Sequence, residues 1–314
     1  MNSSKRQRER HKHYCLLPNR DASRCDQRAI KRLTASIRKR DGRYTVLESR
    51  SATDLLQQVQ QVVGRRRRSR YLAQNISKWG PITAVIACGG DGTFNLVARE
   101  AMTADLPVGI LPLGRMNNIC RSLYGATDIA GAIDKILSGS CRKIDSARVA
   151  SQVFFGSIGM GFVPELARLL KEKKRPRFGF GWSQLGARAA ADIKVTPLIV
   201  KVDSFRFEAN PLILNINLLP WSTGLPLSPA SIPDDGYAEV ILDQGNKIGE
   251  FGTFVRLIHK RKYLYGDDVR LYRGTTVTCQ PTRGRSLYLD GELIELSANV
   301  LEVQVGPHQV KVFC

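Results

Sequence analysis

Three short stretches of this sequence place carboxylates among glycines, a combination that can serve phosphate or metal chemistry. They are Gly89-Gly90-Asp91-Gly92-Thr93, Asp234-Asp235-Gly236 and Asp290-Gly291-Glu292. Glycine lets the backbone approach a ligand closely, and a carboxylate can hold a cation or accept a proton. Each stretch also has a simpler interpretation, because short glycine patterns and Asp-Gly pairs are common in ordinary turns.

The first stretch lies between a predicted strand and a predicted helix. Residues 82–87 are apolar or small, and apolar residues recur at helical spacing from Phe94 onward. A buried strand, a glycine turn and a helix together can bind phosphate through the amide groups at the start of the helix. Asp91 would repel a bare phosphate, so it predicts a metal ion or a hydroxyl to be deprotonated. A turn or capping aspartate is the alternative interpretation.

The last stretch places Asp290 and Glu292 two residues apart, directly after a predicted strand. A carboxylate within reach can accept the proton of a hydroxyl group that attacks a phosphate. The spacing does not decide which of the two would accept that proton, and a plain turn is the alternative. In the middle stretch, Asp235 could ligate Mg²⁺, whereas its Asp-Gly neighbours alone predict a hairpin turn.

The motifs GGDGTFN, LPLG, PDDGY and LDGE follow one another along the chain. From about Tyr14 to its end, the sequence resembles the diacylglycerol kinase catalytic-domain family of lipid kinases, which is related to sphingosine kinases and, more distantly, to NAD kinases. The resemblance implies ATP and Mg²⁺ as cofactors and a lipid as the phosphate acceptor. It implies nucleotide binding by Asn19, Gly89, Gly90, Asp91, Gly92, Thr93, Asn95, Arg115 and Asn117.

The resemblance also implies catalytic roles and a structural metal ion. The catalytic residues would be Asp91, Asp290 and Glu292. The metal ligands would be the side chain of Asp235 and the carbonyl groups of Ile232 and Tyr237.

The chain departs from the family at one motif. Residues 114–118 resemble the pattern G-T-G-N-D, but Arg115 and Met116 replace its threonine and second glycine. Arg115 could supply a forked, permanently charged contact to phosphate. Altered or lost nucleotide binding is the alternative.

The composition indicates which binding partners and which cell compartment to expect. The 314-residue chain carries a formal net charge of +20 and has a pI near 10.0, which favours an anionic partner such as a membrane surface or a nucleotide. The chain shows no nucleic-acid recognition motif, so a specific nucleic acid is not expected. Seven scattered cysteines predict free thiols in a reducing cytoplasm, and no apolar run predicts a membrane span. The oligomeric state is not predicted.

Strand and helix patterns alternate in the first part of the chain. They predict a doubly wound parallel sheet for residues 14–142, after a basic disordered tail of residues 1–13 that includes His11 and His13. Short strands with tight turns predict an antiparallel β-sandwich for residues 143–306. The last strand, residues 307–314, is expected to return to the first domain. We expect the ligands to lie in a cleft between the two domains.

Two basic segments could contact anionic lipid. One is residues 65–68, four arginines in a row, and the other is residues 171–177, which precede Phe178, Phe180 and Trp182. The alternatives are a solvated loop for the first segment and an ordinary core helix with a solvated end for the second.

The sequence therefore predicts an ATP-dependent lipid kinase that phosphorylates the hydroxyl group of a diacylglycerol-like lipid. It would be a cytoplasmic protein at the inner face of the membrane. One alternative is a non-catalytic lipid- or nucleotide-binding module, suggested by Arg115 and Met116. Another is a kinase for a different hydroxyl substrate, such as a sphingoid base or an NAD-like compound.

Overall fold

The computed structural model describes most of the chain, namely residues 12–20, 26–172, 179–191, 193, 195–245, 251–260 and 262–314. These residues divide into two compact units. The N-terminal unit contains the described residues up to Arg115, Ala126–Arg142 and Val310–Cys314. The C-terminal unit contains Met116–Gly125 and the described part of Lys143–Gln309.

The N-terminal unit alternates strands and helices. Its elements are β1 (His13–Pro18), α1 (Gln27–Lys39), β2 (Arg43–Val46), α2 (Ala52–Val62), α3 (Arg70–Trp79), β3 (Ala84–Gly89), α4 (Asp91–Thr103) and β4 (Val108–Pro112). Helix α5 (Asn118–Tyr124) belongs to the C-terminal unit, and α6 (Ile129–Ser138) returns to the N-terminal one.

The strands of the N-terminal unit form a parallel sheet in the order β2-β1-β3-β4. At its far edge Val312, near the end of the chain, pairs in parallel with Val108 of β4. Strands β1, β3 and β4 are buried along their whole length, as expected for a parallel sheet covered on both faces. Helix α1 packs against α6, and α2 packs against α4.

Local signals place several helix ends in this unit. Ser51 caps α2 by accepting a hydrogen bond from the Asp54 amide, and Asp128 caps α6 through the amide of Gly131. Apolar residues at helical spacing in α1, including Leu33 and Ile37, are buried in the core. The capping residues and the apolar stripe therefore predict these helices from the sequence.

The C-terminal unit is mostly β-structure. After α5, its elements are β5 (Cys141–Val149), β6 (Gln152–Phe154), β7 (Ser157–Gly161), α7 (Phe162–Glu172), α8 (Gly179–Ala191), β8 (Leu198–Val202), β9 (Phe205–Ala209), β10 (Ile213–Asn217), β11 (Ala238–Asp243), α9 (Phe251–His259), β12 (Val269–Gly274), β13 (Thr276–Gln280), β14 (Ser286–Leu289), β15 (Glu292–Glu295) and β16 (Leu301–Phe313). The first two residues of β5 and the end of β16 lie in the N-terminal unit.

Two antiparallel sheets share the core of the C-terminal unit. One has the order β12-β11-β10-β7-β14-β15, and in the other β16 pairs with β13, β13 with β8 and β8 with β9. Alternate residues of the first sheet, such as Leu214 and Val240, point into the shared core. Their neighbours Ile213 and Ile241 pack against residues of α7, α8 and α9 instead. The parallel N-terminal sheet and the antiparallel C-terminal sheets confirm the predicted fold class.

The structure corrects two expectations. His13 belongs to β1 and is fully buried, so it is not part of a disordered tail. The apolar run of residues 153–158 predicts one continuous strand, but the structure has two strands there, β6 and β7, separated by Phe155 and Gly156.

Some predicted features lie outside the described residues. They are His11, most of the basic segment 171–177, Phe178, and the side chains of Phe180 and Trp182. No helix in the described part of the chain combines the length and the hydropathy that a bilayer crossing requires.

Candidate functional site

The glycine stretch of the N-terminal unit follows β3 directly. Gly89 ends the strand, Gly90 precedes α4, and Asp91 is the first helical residue, so the amide groups of the first turn of α4 face this loop. A Cβ atom on Gly90 would lie 3.1 Å from the Cα atom of Gly114, and one on Gly89 would lie 2.2 Å from Thr93 Oγ1. The loop therefore depends on glycine at both positions.

The loop after β4 lies against the glycine stretch. Gly89 is in register with Pro112, and the amide of Leu113 donates a hydrogen bond of 2.9 Å to the Gly89 carbonyl. This contact brings Gly114 next to Gly90, and the half-buried Arg115 follows. The carboxyl ends of β3 and β4 thus bring together residues from two of the predicted motifs.

A third strand end reaches the same edge of the sheet. Asn19 follows β1, its amide donates to the Cys88 carbonyl at 3.2 Å, and its side chain donates to Thr93 Oγ1 at 3.3 Å. Asp91, Thr93 and Asn95 are buried on α4. The predicted nucleotide-binding residues of the N-terminal unit therefore gather around one helix start, where backbone amides and the half-buried Arg115 favour an anion.

Asn117 belongs to the C-terminal unit, where it begins α5 with a left-handed φ of 52°. Asparagine tolerates this conformation better than most residues, which explains the residue type at this helix start. Its neighbour Met116 packs partly buried against the helices of this unit.

Asn118 is not among the predicted site residues, yet it lies beside them in the chain and is held by specific contacts. It is buried, its side-chain amide donates to the Tyr288 hydroxyl at 3.3 Å, and its side-chain oxygen accepts from the Gly224 amide at 2.8 Å. It therefore ties α5 to β14 and to the loop before β11. The signal was available, because Asn118 occupies the position of the aspartate in the pattern G-T-G-N-D.

Asp290 lies in the turn between β14 and β15 with a left-handed φ of 42°, and its side chain is buried. Its carboxylate accepts hydrogen bonds from the amides of Phe155 at 2.8 Å, Gly156 at 3.0 Å and Ser157 at 2.6 Å. A Cβ atom on Gly156 would lie 2.5 Å from Asp290 Oδ1, so only glycine permits this approach. Asp290 thus holds the connection between β6 and β7.

Glu292 has a different environment. It is exposed at the start of β15, opposite Leu289. Within the described residues, its carboxylate forms no hydrogen bond and no ion pair, so it is accessible to a ligand. The two acids of this turn are therefore not equivalent: one is bound to backbone amides and the other faces solvent.

The turn predicted to hold a metal ion contains an ion pair. Asp235 Oδ1 accepts a hydrogen bond of 3.0 Å from the Tyr237 amide, and Oδ2 contacts the guanidinium of Arg273. That guanidinium also lies 4.4 Å from the centroid of the Tyr237 ring and 3.8 Å from the carboxylate of Glu239. Glu239 is buried, and this burial raises its pKa.

In the arrangement that the structure shows, Arg273 lies beside the carboxylate of Asp235. A divalent cation at that carboxylate would be repelled by the guanidinium unless Arg273 moved away. In the described part of the chain, no three His, Cys, Asp or Glu side chains are grouped as metal ligands. The assignment of Asp235, Ile232 and Tyr237 as metal ligands stays a prediction that no observed contact supports.

Comparison with known proteins gives a consistent result. Residues 13–149 match the sequence profile described as the diacylglycerol kinase catalytic domain. The chain is 26% identical over 225 residues to a diacylglycerol kinase of Staphylococcus aureus (strain bovine RF122 / ET3-1), covering 70% of this chain and 71% of the relative. It is 26% identical over 228 residues to a diacylglycerol kinase of Staphylococcus saprophyticus, covering 71% and 73%.

Solved structures match the fold over almost the whole chain. A diacylglycerol kinase structure from Bacillus anthracis str. Sterne aligns with a TM-score of 0.64 and 14% identity, covering 96% of both chains. A second crystal structure from the same organism aligns with a TM-score of 0.69 and 16% identity, again covering 96% of both chains. At these identities the likeness establishes the fold alone.

Proposed function

We propose that the chain is a member of the diacylglycerol kinase catalytic-domain family, whose profile matches residues 13–149, and that it is an ATP-dependent lipid kinase. Its relatives support a kinase-like phosphotransferase. The finer proposal is that it transfers the γ-phosphate of ATP to the hydroxyl group of a diacylglycerol-like lipid. The relatives named as diacylglycerol kinases support this choice of acceptor.

One observation carries the proposal. Three strand ends, those of β1, β3 and β4, bring Asn19, Gly90 and Gly114 to the start of α4. The backbone can approach a phosphate chain there, and the helix amides and Arg115 supply positive potential. We assign this edge to the phosphates of ATP. Mg²⁺ would accompany ATP, and Asp91 is the carboxylate that would face it.

We assign the two acids of the C-terminal turn to different roles. The accessible carboxylate of Glu292 would accept the proton of the lipid hydroxyl as its oxygen bonds to the γ-phosphorus. The bond from that phosphorus to the bridging oxygen of ADP breaks in the same step. Asp290 would act as a positioning residue, because its oxygens are already engaged by the amides of Phe155, Gly156 and Ser157.

A non-catalytic nucleotide- or lipid-binding module is the second candidate. The uncharged Asn118, at a position where the family pattern has an aspartate, favours it. Its two hydrogen bonds, to Tyr288 and Gly224, show that this side chain has a structural use without a charge. The replacement of Thr-Gly by Arg115 and Met116 also favours a binding module without catalytic activity.

The test uses γ-labelled ATP and mixed micelles of diacylglycerol. Wild-type protein should transfer label to the lipid, and Glu292→Gln should lower kcat by about 10²-fold or more, the usual contribution of a general base. Glu295→Gln is the matched control, since Glu295 is exposed on the same strand. It should retain full activity.

The alternatives predict other outcomes. Full activity of Glu292→Gln would show that Glu292 does not accept the proton in phosphate transfer. Measurable ATP binding without transfer to diacylglycerol or to any other hydroxyl acceptor would favour the binding module. Label that appears only in a water-soluble product would indicate a different substrate class.

A further inference from the structure

The C-terminal unit contains a cavity of about 650 Å³ that the proposed catalytic residues do not line. It lies between the start of α7, the segment before β8, and the turn that connects β13 to β14. This volume is within the range of pockets that hold small ligands, which is roughly 300–1,000 Å³.

Two arginines on the β13–β14 turn line this cavity. Arg285 is half-buried, and its guanidinium donates to the Pro281 carbonyl at 2.8 Å and to the Pro197 carbonyl at 3.2 Å. Arg283 donates to the Ser297 carbonyl at 3.2 Å. Neither forms an ion pair with a carboxylate among the described residues, although a guanidinium keeps its charge at any physiological pH. The cavity therefore has two positive charges held in place by neutral groups.

Among the described lining residues, Glu165 is the one acid, and another arginine engages it. Glu165 is engaged by Arg168 of the same helix, which contacts its carboxylate through two nitrogens at 2.9 and 3.0 Å. Burial lowers the pKa of Arg285, and no carboxylate among the described residues pairs with it, so an anion in the cavity would stabilise its charge.

The rest of the lining indicates the kind of anion. Thr196 and Ser286 carry hydroxyl groups, whereas Pro164 and Ile193 add apolar surface. A guanidinium group can donate two parallel hydrogen bonds to two oxygens of a phosphate, and hydroxyl groups can donate to the remaining oxygens. The apolar side chains suit the carbon skeleton of an ester.

We propose that this cavity is a binding site for a phosphate ester, held by Arg283 and Arg285. Two kinds of ligand carry such a phosphate ester: the headgroup of an anionic phospholipid and a soluble phosphomonoester. The site is separate from the residues assigned to phosphate transfer, and its occupancy does not depend on ATP.

The experiment measures binding by the full-length protein without nucleotide. The probes are glycerol 3-phosphate in calorimetry, and vesicles of phosphatidylcholine with and without phosphatidate in flotation. The double variant Arg283→Gln/Arg285→Gln should bind its probe about tenfold more weakly or worse, because charged hydrogen bonds are lost. The matched control is Lys201→Gln/Arg206→Gln, which removes the same charge from exposed positions of this unit.

A second variant tests the role of the cavity without changing the two positive charges. Thr196→Trp fills the space and keeps both arginines, so it should also abolish binding while thermal melts show a folded protein. Binding of glycerol 3-phosphate would identify a soluble ligand, and binding of phosphatidate vesicles alone would identify the headgroup. Equal weakening by both double variants, unchanged binding by Thr196→Trp, or no binding of either probe would overturn the proposal.

Discussion

At the scale of single residues, the most informative pair is Asp290 and Glu292. Both are carboxylates in one short turn, yet Asp290 is buried and bound by three amides, and Glu292 is exposed. A buried acceptor that serves three donors is a structural group, because removing it leaves those donors unsatisfied. We therefore expect a substitution of Asp290 to lower mainly stability and a substitution of Glu292 to lower mainly activity.

Asp290→Asn should destabilise the protein by about 2–3 kcal/mol, the range for leaving buried donors unsatisfied. The carboxamide has only one oxygen, so its NH₂ group would face at least one backbone N–H of residues 155–157. Urea unfolding would measure the loss. Glu292→Gln, the control in the same turn, should stay within about 0.5 kcal/mol of wild type, as is usual at exposed positions. Similar losses in both variants would contradict the assignment of roles.

His13 supplies a pH-dependent contribution to stability. Its ring lies between the Gly80 carbonyl and Thr45 Oγ1, each at 2.8 Å, and packs edge-on against Trp79. Since a carbonyl only accepts, the neutral ring with its proton on Nδ1 satisfies both contacts. Burial lowers the pKa of His13 from its ordinary value of 6.5, which outweighs the opposing hydrogen bond to Gly80.

The lowered pKa determines the sign of the effect. As the pH falls below 6.5, the unfolded chain binds a proton at His13 before the folded protein does, so stability decreases until the folded pKa is reached. We expect the unfolding free energy of wild type to fall more steeply between about pH 7 and pH 5 than that of His13→Gln. Parallel pH profiles for the two proteins would show that His13 does not titrate in this way.

At the scale of elements, the site of the N-terminal unit depends on how two loops pack. The turn after β3 and the turn after β4 touch at Gly90 and Gly114, and a hydrogen bond from Leu113 to Gly89 fixes their spacing. The adjacent parallel strands bring these loops together, since their carboxyl ends share one edge of the sheet. A methyl group between the loops should therefore disturb ligand binding directly.

Gly90→Ala should weaken binding of an ATP analogue by about tenfold, because its Cβ atom would meet the backbone of Gly114 at 3.1 Å. Gly109→Ala is the control. Its Cβ atom would lie 2.6 Å from Ile86 Cδ1 in the core, so it should cost about 1–3 kcal/mol of stability without disturbing the loops. Calorimetric binding and thermal melts would separate the two effects. Equal weakening of ATP binding by both variants would contradict this account.

At the scale of the whole molecule, the net charge of +20 dominates. Part of it lies in residues 65–68, where Arg65 pairs with Glu100 at 3.1 Å and Arg66, Arg67 and Arg68 are exposed. Basic residues near an anionic bilayer each contribute about 1 kcal/mol of attraction, and salt screens this attraction. The exposed part of this run is thus available for a long-range, non-specific attraction to a membrane surface.

Association with phosphatidylglycerol vesicles should therefore fall steeply as the salt concentration rises from about 0.05 to about 0.5 M, because the Debye length shortens. The variant Arg66→Gln/Arg67→Gln/Arg68→Gln should bind more weakly at low salt. Phosphatidylcholine vesicles serve as the control and should bind little at any salt concentration. Binding that is insensitive to salt, or equal for both lipids, would show that charge does not drive the association.

Much of the architecture could be predicted from the sequence, because it depends on local residue patterns. These patterns involve residues that are close together in the chain. Examples are the apolar runs of β3 and β4, the apolar stripe of α1, and the capping residues Ser51 and Asp128. His13 was misplaced because its partners, Thr45 and Gly80, are distant in the chain. The break between β6 and β7 escaped prediction for the same reason, since Asp290 binds there from 135 residues away.

The fold class and the motifs that hold Asp91, Asp290 and Glu292 follow from the sequence, since residue type and spacing are sufficient for those. The folded structure adds which donors and charges surround each carboxylate. Asp290 is bound by backbone amides, Asp235 is paired with Arg273, and Glu292 is accessible. A carboxylate acquires its role from the donors and charges around it, and here strands far apart in the chain supply them.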